Sequence, residues 1–124
     1  MKENVVVTKT YDFASRIVKL YKYLTFEQKE YVLSKQVLRS GTSIGANVEE
    51  AVAASFRADF ISKLTIAAKE ARETAYWLRL LHDNDYLPTT MFQSVYQDID
   101  EIKRIIGSIV ISTKIPKTPV NSVT

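Results

Sequence analysis

Residues 39–50 read RSGTSIGANVEE. Two glycines among hydroxyl residues have the composition of a ligand loop, and a Walker-type phosphate loop is the first reading to test. That loop needs a lysine and a hydroxyl residue after its last glycine, and a strand leading in. Here Gly45 is followed by Ala46 and Asn47, and the preceding residues carry a helical pattern. A dinucleotide fingerprint fails on spacing as well. What does hold is periodicity: Val37, Gly41, Ile44, Val48 and Ala51 recur at steps of three and four, the signature of one helical face. The stretch is therefore read as the middle of a long helix, over about 26–54.

A glycine inside a helix costs about 1 kcal/mol relative to alanine. Two of them call for compensation, and close approach of another helix at Gly41, Gly45 and Ala46 supplies it. Beside this face Gln36, Arg39, Ser43, Asn47 and Glu50 form a continuous polar stripe at steps of 3, 4, 4 and 3. Arg39, Ser43, Asn47 and Glu50 are candidates for hydrogen bonds to neighbouring helices or to a neighbouring subunit. The plain alternative is the solvated edge of a core.

Working outward, Phe13, Ile17, Leu20 and Leu24 share one face of a first helix over about 10–24, with Thr8 or Thr10 as N-cap. Thr25 and Gln28 have capping-box spacing, so the second helix is expected to begin almost at once. A turn is expected near 55–57. A third helix, over about 57–83, carries Phe60, Leu64, Ala67, Ala71, Thr74, Leu78 and Leu81, and ends at the turn formers Asn84, Asp85 and Pro88. A fourth, over about 89–112, carries Phe92, Val95, Ile99, Ile102, Ile106 and Ile109. The tail 113–124, with two prolines and no period, is expected to be flexible.

Four amphipathic helices with heptad-like spacing and short connections specify an all-α, antiparallel, up-down-up-down four-helix bundle, left-handed, in one domain over 1–124. A long two-chain coiled coil is the alternative, opposed by the turn signals near Ser55 and Asn84. Composition agrees, because 124 residues with 46% hydrophobic residues suffice for one core and three glycines and three prolines leave little punctuation. Cysteine is absent, which removes disulfides and thiolate metal sites. The N-terminal apolar run is too short for a signal peptide and no run is long enough to span a membrane, so a soluble, cytoplasmic protein is expected. The net charge of +3 sits in the tails; Tyr11 to Thr113 hold 13 basic and 13 acidic residues. Only a local basic face is therefore available to phosphate.

Catalytic chemistry is missing. A carboxylate di-metal site needs Glu-x-x-His pairs on two helices, but His82 is the single histidine and Arg79 stands three residues before it. His82 is read as a solvent-facing or C-capping residue, and Glu70, Glu73, Asp98 and Glu101 as solvated helix faces. No nucleophile, base and orienter can be assembled, so no enzymatic activity, cofactor, metal or small-molecule substrate is expected.

Two surface features point instead to partners. The third helix carries Ile66, Trp77 and Leu80 away from its core face, as an oligomer interface would. On another side Lys69, Arg72, Tyr76 and Arg79 make a basic stripe with one aromatic residue. Lys9, Arg16, Lys19 and Tyr23 make a second on the first helix, interrupted by Asp12. Such stripes suit RNA backbone with a stacked base, although they also occur as ordinary solvated faces.

The run YVLSKQVLRSGTSIGANVEEA, followed by RADFISKLTIAAKEA, resembles the four-helix-bundle family of proteins encoded in intervening sequences of bacterial 23S ribosomal RNA genes. The resemblance extends from about Tyr11 to Ser112, and its most specific part falls on Arg39, Ser43, Asn47 and Glu50. Many relatives have a glycine after that glutamate where this chain has Ala51, so the helix stop is expected later, near Ser55. The resemblance implies a ring-like homopentamer without known catalysis and with suspected nucleic-acid binding. It is similar in fold to an accessory protein of diversity-generating retroelements. The expected function is thus a non-catalytic oligomeric protein binding RNA or a ribonucleoprotein through basic surfaces. The alternative is a protein-interaction scaffold with no nucleic-acid role.

Overall fold

The computed structural model of the chain describes residues 2–114. Every regular element among them is an α-helix: α1 Lys2–Phe26, α2 Leu33–Val52, α3 Arg57–Asp83 and α4 Thr89–Lys114. Each helix packs on the next, and α4 returns to pack on α1, so four interfaces enclose one core. The α1–α4 seam is the sparsest of the four.

The periodic faces supply that core. Val37, Ile44, Val48 and Ala51 of α2, Leu64, Ala67, Ala71, Leu78 and Leu81 of α3, and Val95, Ile99, Ile102, Ile106 and Ile109 of α4 are buried. Burying the Val, Leu and Ile side chains among these, each worth about 1.5–3 kcal/mol, drives the association of helices whose intrinsic propensity is ordinary.

Two boundaries differ from expectation. First, α1 starts at Lys2 rather than near residue 10, and neither Thr8 nor Thr10 is its N-cap. Thr10 is fully buried in mid-helix, where its hydroxyl donates to the Val6 carbonyl at 2.7 Å. A polar group satisfied by its own helix behaves as part of the apolar row, which therefore runs Val6, Thr10, Phe13, Ile17, Leu20, Leu24.

Second, Thr25 and Gln28 do not form a capping box. Thr25 lies in the last turn of α1 and its hydroxyl donates back to the Tyr21 carbonyl at 2.9 Å, the backbone alternative that competes with capping. Gln28 Nε2 donates to the Tyr23 hydroxyl at 2.6 Å. Residues 27–32 form a connection with Lys29 in the left-handed region at φ 56°, so α2 begins at Leu33 and not at 26. Its start is capped by Glu30. The buried carboxylate accepts the backbone N–H groups of Val32, Leu33 and Ser34 at 3.1, 2.9 and 2.6 Å, and the Ser34 hydroxyl donates to the Glu30 carbonyl at 2.8 Å. A negative charge facing the unpaired N–H groups of a first turn is favoured by both hydrogen bonding and the helix dipole.

The other ends fall close to expectation. α2 stops at Val52, and α4 continues through Thr113 and Lys114, where the tail was expected to start. The remainder of that tail, residues 115–124, lies outside the described residues.

Candidate functional site

The RSGTSIGANVEE segment sits wholly within α2, and its glycines face α1. A Cβ on Gly41 would lie 2.8 Å from Ile17 Cγ1, and one on Gly45 would lie 3.1 Å from the Thr10 carbonyl oxygen. The close approach is thus made by a helix of the same chain.

The polar stripe turns the other way and divides into unlike parts. Arg39 reaches across to α3, donating from Nη1 to Glu70 at 3.2 Å and from Nη2 to Glu73. Trp77 Nε1 donates to the same Glu73 carboxylate at 3.2 Å. Beneath this fork Thr74 Oγ1 lies 2.9 Å from Ser40 Oγ and 2.8 Å from the Glu70 carbonyl, and both hydroxyl residues are fully buried. One proton cannot serve both acceptors, so with Thr74 donating to the carbonyl, Ser40 donates to Thr74. Asn47, by contrast, donates to the Ser43 carbonyl of its own helix at 2.9 Å, and Glu50 is exposed.

Glu70 and Glu73 are therefore not solvated faces. Their side chains are 12% and 29% exposed and hold Arg39. Their role was illegible in sequence because the partner lies on another helix. Ile66 is exposed, while Trp77 and Leu80 are half-buried and the Trp77 ring packs against the edge of the core.

The two basic stripes differ in how their charges are used. Lys69, Arg72, Tyr76 and Arg79 are all exposed on α3, with the Arg79 guanidinium 5.8 Å from the Tyr76 ring centre and the Tyr76 ring edge-on to Trp77. Among the described residues, Lys69, Arg72 and Arg79 form no ion pair. On α1, Arg16 donates to Asp98 at 2.6 Å and to both the carbonyl and the hydroxyl of Ser94, and Lys9 pairs with Glu101 at 3.2 Å. Asp98 and Glu101, read as solvated, thus staple α4 to α1. Lys19 is exposed.

Arg16 divides the α1–α4 seam into two hollows. One, of about 290 Å³, is polar, with Lys9, Asp12, Asp98 and Glu101 around Phe13 and Ile102. The other, of about 230 Å³, is formed by Arg16, Lys19, Leu20, Tyr23, Met91 and Val95. Sequence reading singled out the α1 side of this second hollow but not Met91, which contributes from another helix.

His82 is half-buried rather than fully solvent-facing, and the C-cap is Asn84. Its ring stacks on Phe92 at 4.3 Å and its Nε2 lies 3.2 Å from Thr89 Oγ1, joining the end of α3 to the start of α4. Asn84 Nδ2 instead donates to the Leu80 carbonyl at 2.9 Å. Among the described residues no group of three or more His, Cys, Asp or Glu side chains is placed to hold a metal ion. No described helix is long and apolar enough to cross a membrane.

Residues 2–108 match the family model of the 23S rRNA-intervening sequence protein. The chain belongs to this family. A solved structure from the S23 ribosomal protein family of Bacteroides thetaiotaomicron, itself described as a protein with unknown function, is 56% identical to this chain. That alignment covers 90% of this chain and 99% of the other, with a TM-score of 0.88. No curated protein matches. The 23S rRNA-intervening sequence match takes in α1, α2, α3 and most of α4, and so includes the Arg39 fork and both hollows.

Proposed function

We propose that this chain is a non-catalytic, left-handed, antiparallel up-down-up-down bundle. It assembles as a homopentamer and binds RNA or a ribonucleoprotein through basic surfaces repeated around the ring. The antiparallel arrangement is supported by register. Gly41 meets Ile17 while Gly45 meets Thr10, and Arg16 pairs with Asp98 while Lys9 pairs with Glu101. Heptad-like core spacing supports the left-handed sense. The ring is supported by the family resemblance and by the α3 face bearing Ile66, Trp77 and Leu80.

The observation that carries nucleic-acid binding is the contrast between cations. Arg39, Arg16, Lys9 and Arg104 each pair with a carboxylate, whereas Lys69, Arg72 and Arg79 are exposed and form no ion pair among the described residues. Exposed Lys19, Lys22, Lys29, Lys35 and Arg57 form none among them either, but the three on α3 share one face with Tyr76 between them. Repetition around a ring converts weak phosphate contacts into avidity. Binding to structured RNA across a salt series tests this: affinity falls with salt, and falls further when Lys69, Arg72 and Arg79 are replaced by alanine. Absence of binding at low salt, or binding indifferent to salt, overturns it. For the assembly, Trp77→Ala with Leu80→Ala dissociates the oligomer while helical circular dichroism persists, and an unchanged mass by light scattering refutes that contact.

A second reading, a protein-interaction scaffold, is favoured by the exposed Phe26, Tyr31 and Val32 around the α1–α2 connection. Affinity capture before and after nuclease treatment separates the two, because a protein partner held through RNA is lost on digestion.

A further inference from the structure

We propose that the hollow formed by Arg16, Lys19, Leu20, Tyr23, Met91 and Val95 is a binding pocket for one unstacked base of single-stranded RNA. This rests on the RNA-binding reading above and assigns it a second, base-contacting site on the α1–α4 seam. The floor is apolar: Leu20 and Val95 are buried, and Met91 adds a deformable thioether suited to a ring face or edge. One wall is aromatic and fixed, since the half-buried Tyr23 ring is held by the hydrogen bond from Gln28 to its hydroxyl at 2.6 Å. The rim carries one cation free for phosphate: Lys19 is exposed and forms no ion pair among the described residues, while Arg16, paired with Asp98 and bonded to Ser94, serves as a fixed wall.

Size and charge select the occupant. At about 230 Å³ the hollow falls below the range of about 300–1,000 Å³ that drug-sized ligands occupy, so it suits a single ring system rather than a helix or a large cofactor. An apolar group attached to a polyanion matches an apolar floor beneath a cationic rim. In the neighbouring hollow Asp98 and Glu101 are paired with Arg16 and Lys9, and Asp12 leaves the lining with an excess negative charge, which disfavours phosphate. The strand is therefore directed across Lys19 and the exposed Lys22 rather than along the seam. Stacking on an aromatic side chain is tolerant of base identity, so the pocket reads the presence of a base and not its sequence.

The test compares fluorescence anisotropy of a labelled uridine oligomer with that of an oligomer carrying the same phosphates but abasic at every position. The native chain is compared with Met91→Trp, which fills the hollow, and with Lys19→Glu, an exposed change that leaves packing intact. The native protein is expected to bind the base-bearing oligomer about tenfold more tightly than the abasic one. Met91→Trp is expected to abolish that preference with unchanged circular dichroism, and Lys19→Glu to weaken binding of both oligomers. Equal, salt-sensitive binding of both oligomers by the native chain overturns the pocket while leaving the RNA reading intact. A preference that survives in folded Met91→Trp and Tyr23→Ala also overturns the pocket. Failure to bind any RNA at low salt overturns both.

Discussion

Gly41 of α2 lies so close to Ile17 of α1 that a methyl group on the glycine would stand 2.8 Å from Ile17 Cγ1. Ile17 is fully buried and β-branched, so it has little freedom to withdraw. Gly107, on α4, has nothing within 4 Å of the equivalent position. Gly41→Ala should lower stability by about 1 kcal/mol, since overpacking costs about 1–3 kcal/mol and helix propensity returns about 1. Gly107→Ala should raise stability by up to about 1 kcal/mol. Urea unfolding of the two variants should show shifts of opposite sign; shifts of the same sign would contradict the assignment.

The buried pair of Ser40 and Thr74 should behave asymmetrically. Thr74→Val removes the partner of the Ser40 hydroxyl and leaves it in an apolar setting, at a cost of about 1–3 kcal/mol, whereas Ser40→Ala costs less because Thr74 still donates to the Glu70 carbonyl. Adding Ser40→Ala to Thr74→Val should recover much of that loss, because both polar groups are then gone. Additive losses in a double-mutant cycle would argue against the shared hydrogen bond.

Glu30→Ala removes the acceptor for the N–H groups of Val32, Leu33 and Ser34 at the start of α2 and should destabilise the protein by about 1–2 kcal/mol. Amide hydrogen exchange should quicken at Leu33 and Ser34 before it does so in α3. Unaltered protection at those two amides would show that the cap is dispensable.

The fork from Arg39 is half-exposed, which limits its worth to about 0.5–1 kcal/mol of coupling with Glu73. Trp77, the chain's one tryptophan, donates to the same carboxylate and so reports on it. Arg39→Lys, which cannot span two carboxylates from a planar group, should shift Trp77 emission much as Arg39→Ala does. Emission that responds to Glu73→Gln alone would mean that Arg39 does not hold the carboxylate.

Asn47 donates within its own helix and is half-exposed, so Asn47→Ala should change monomer stability by less than about 0.5 kcal/mol. A larger loss that shrinks on dilution would place its amide against a neighbouring subunit.

Much of the core was legible because its side chains repeat at helical spacing. The periodic residues of α2, α3 and α4 are buried except Phe60 and Phe92, which are partly buried against the edge of the core, and Gly41 and Gly45 stand against Ile17 and Thr10 of α1. Reading failed where a residue type has two satisfying environments. Thr10 and Thr25 resemble caps, yet each bonds the carbonyl four residues back. Glu30 has no capping-box signature and caps α2 all the same. The carboxylates went unrecognised for a different reason, since Glu73 and Asp98 acquire their roles only from arginines on other helices.

The sequence by itself determined that the chain is helical, where most of its apolar faces lie, and which family it resembles, because periodicity and motif spacing are local properties. Tertiary structure alone decided that Gly41 and Gly45 seat α1, that Arg39 grips α3, and that Arg16 divides a seam into a polar and an apolar hollow. Those outcomes depend on the distance between helices and on which rotamers reach across it, and neither is set by spacing along one chain.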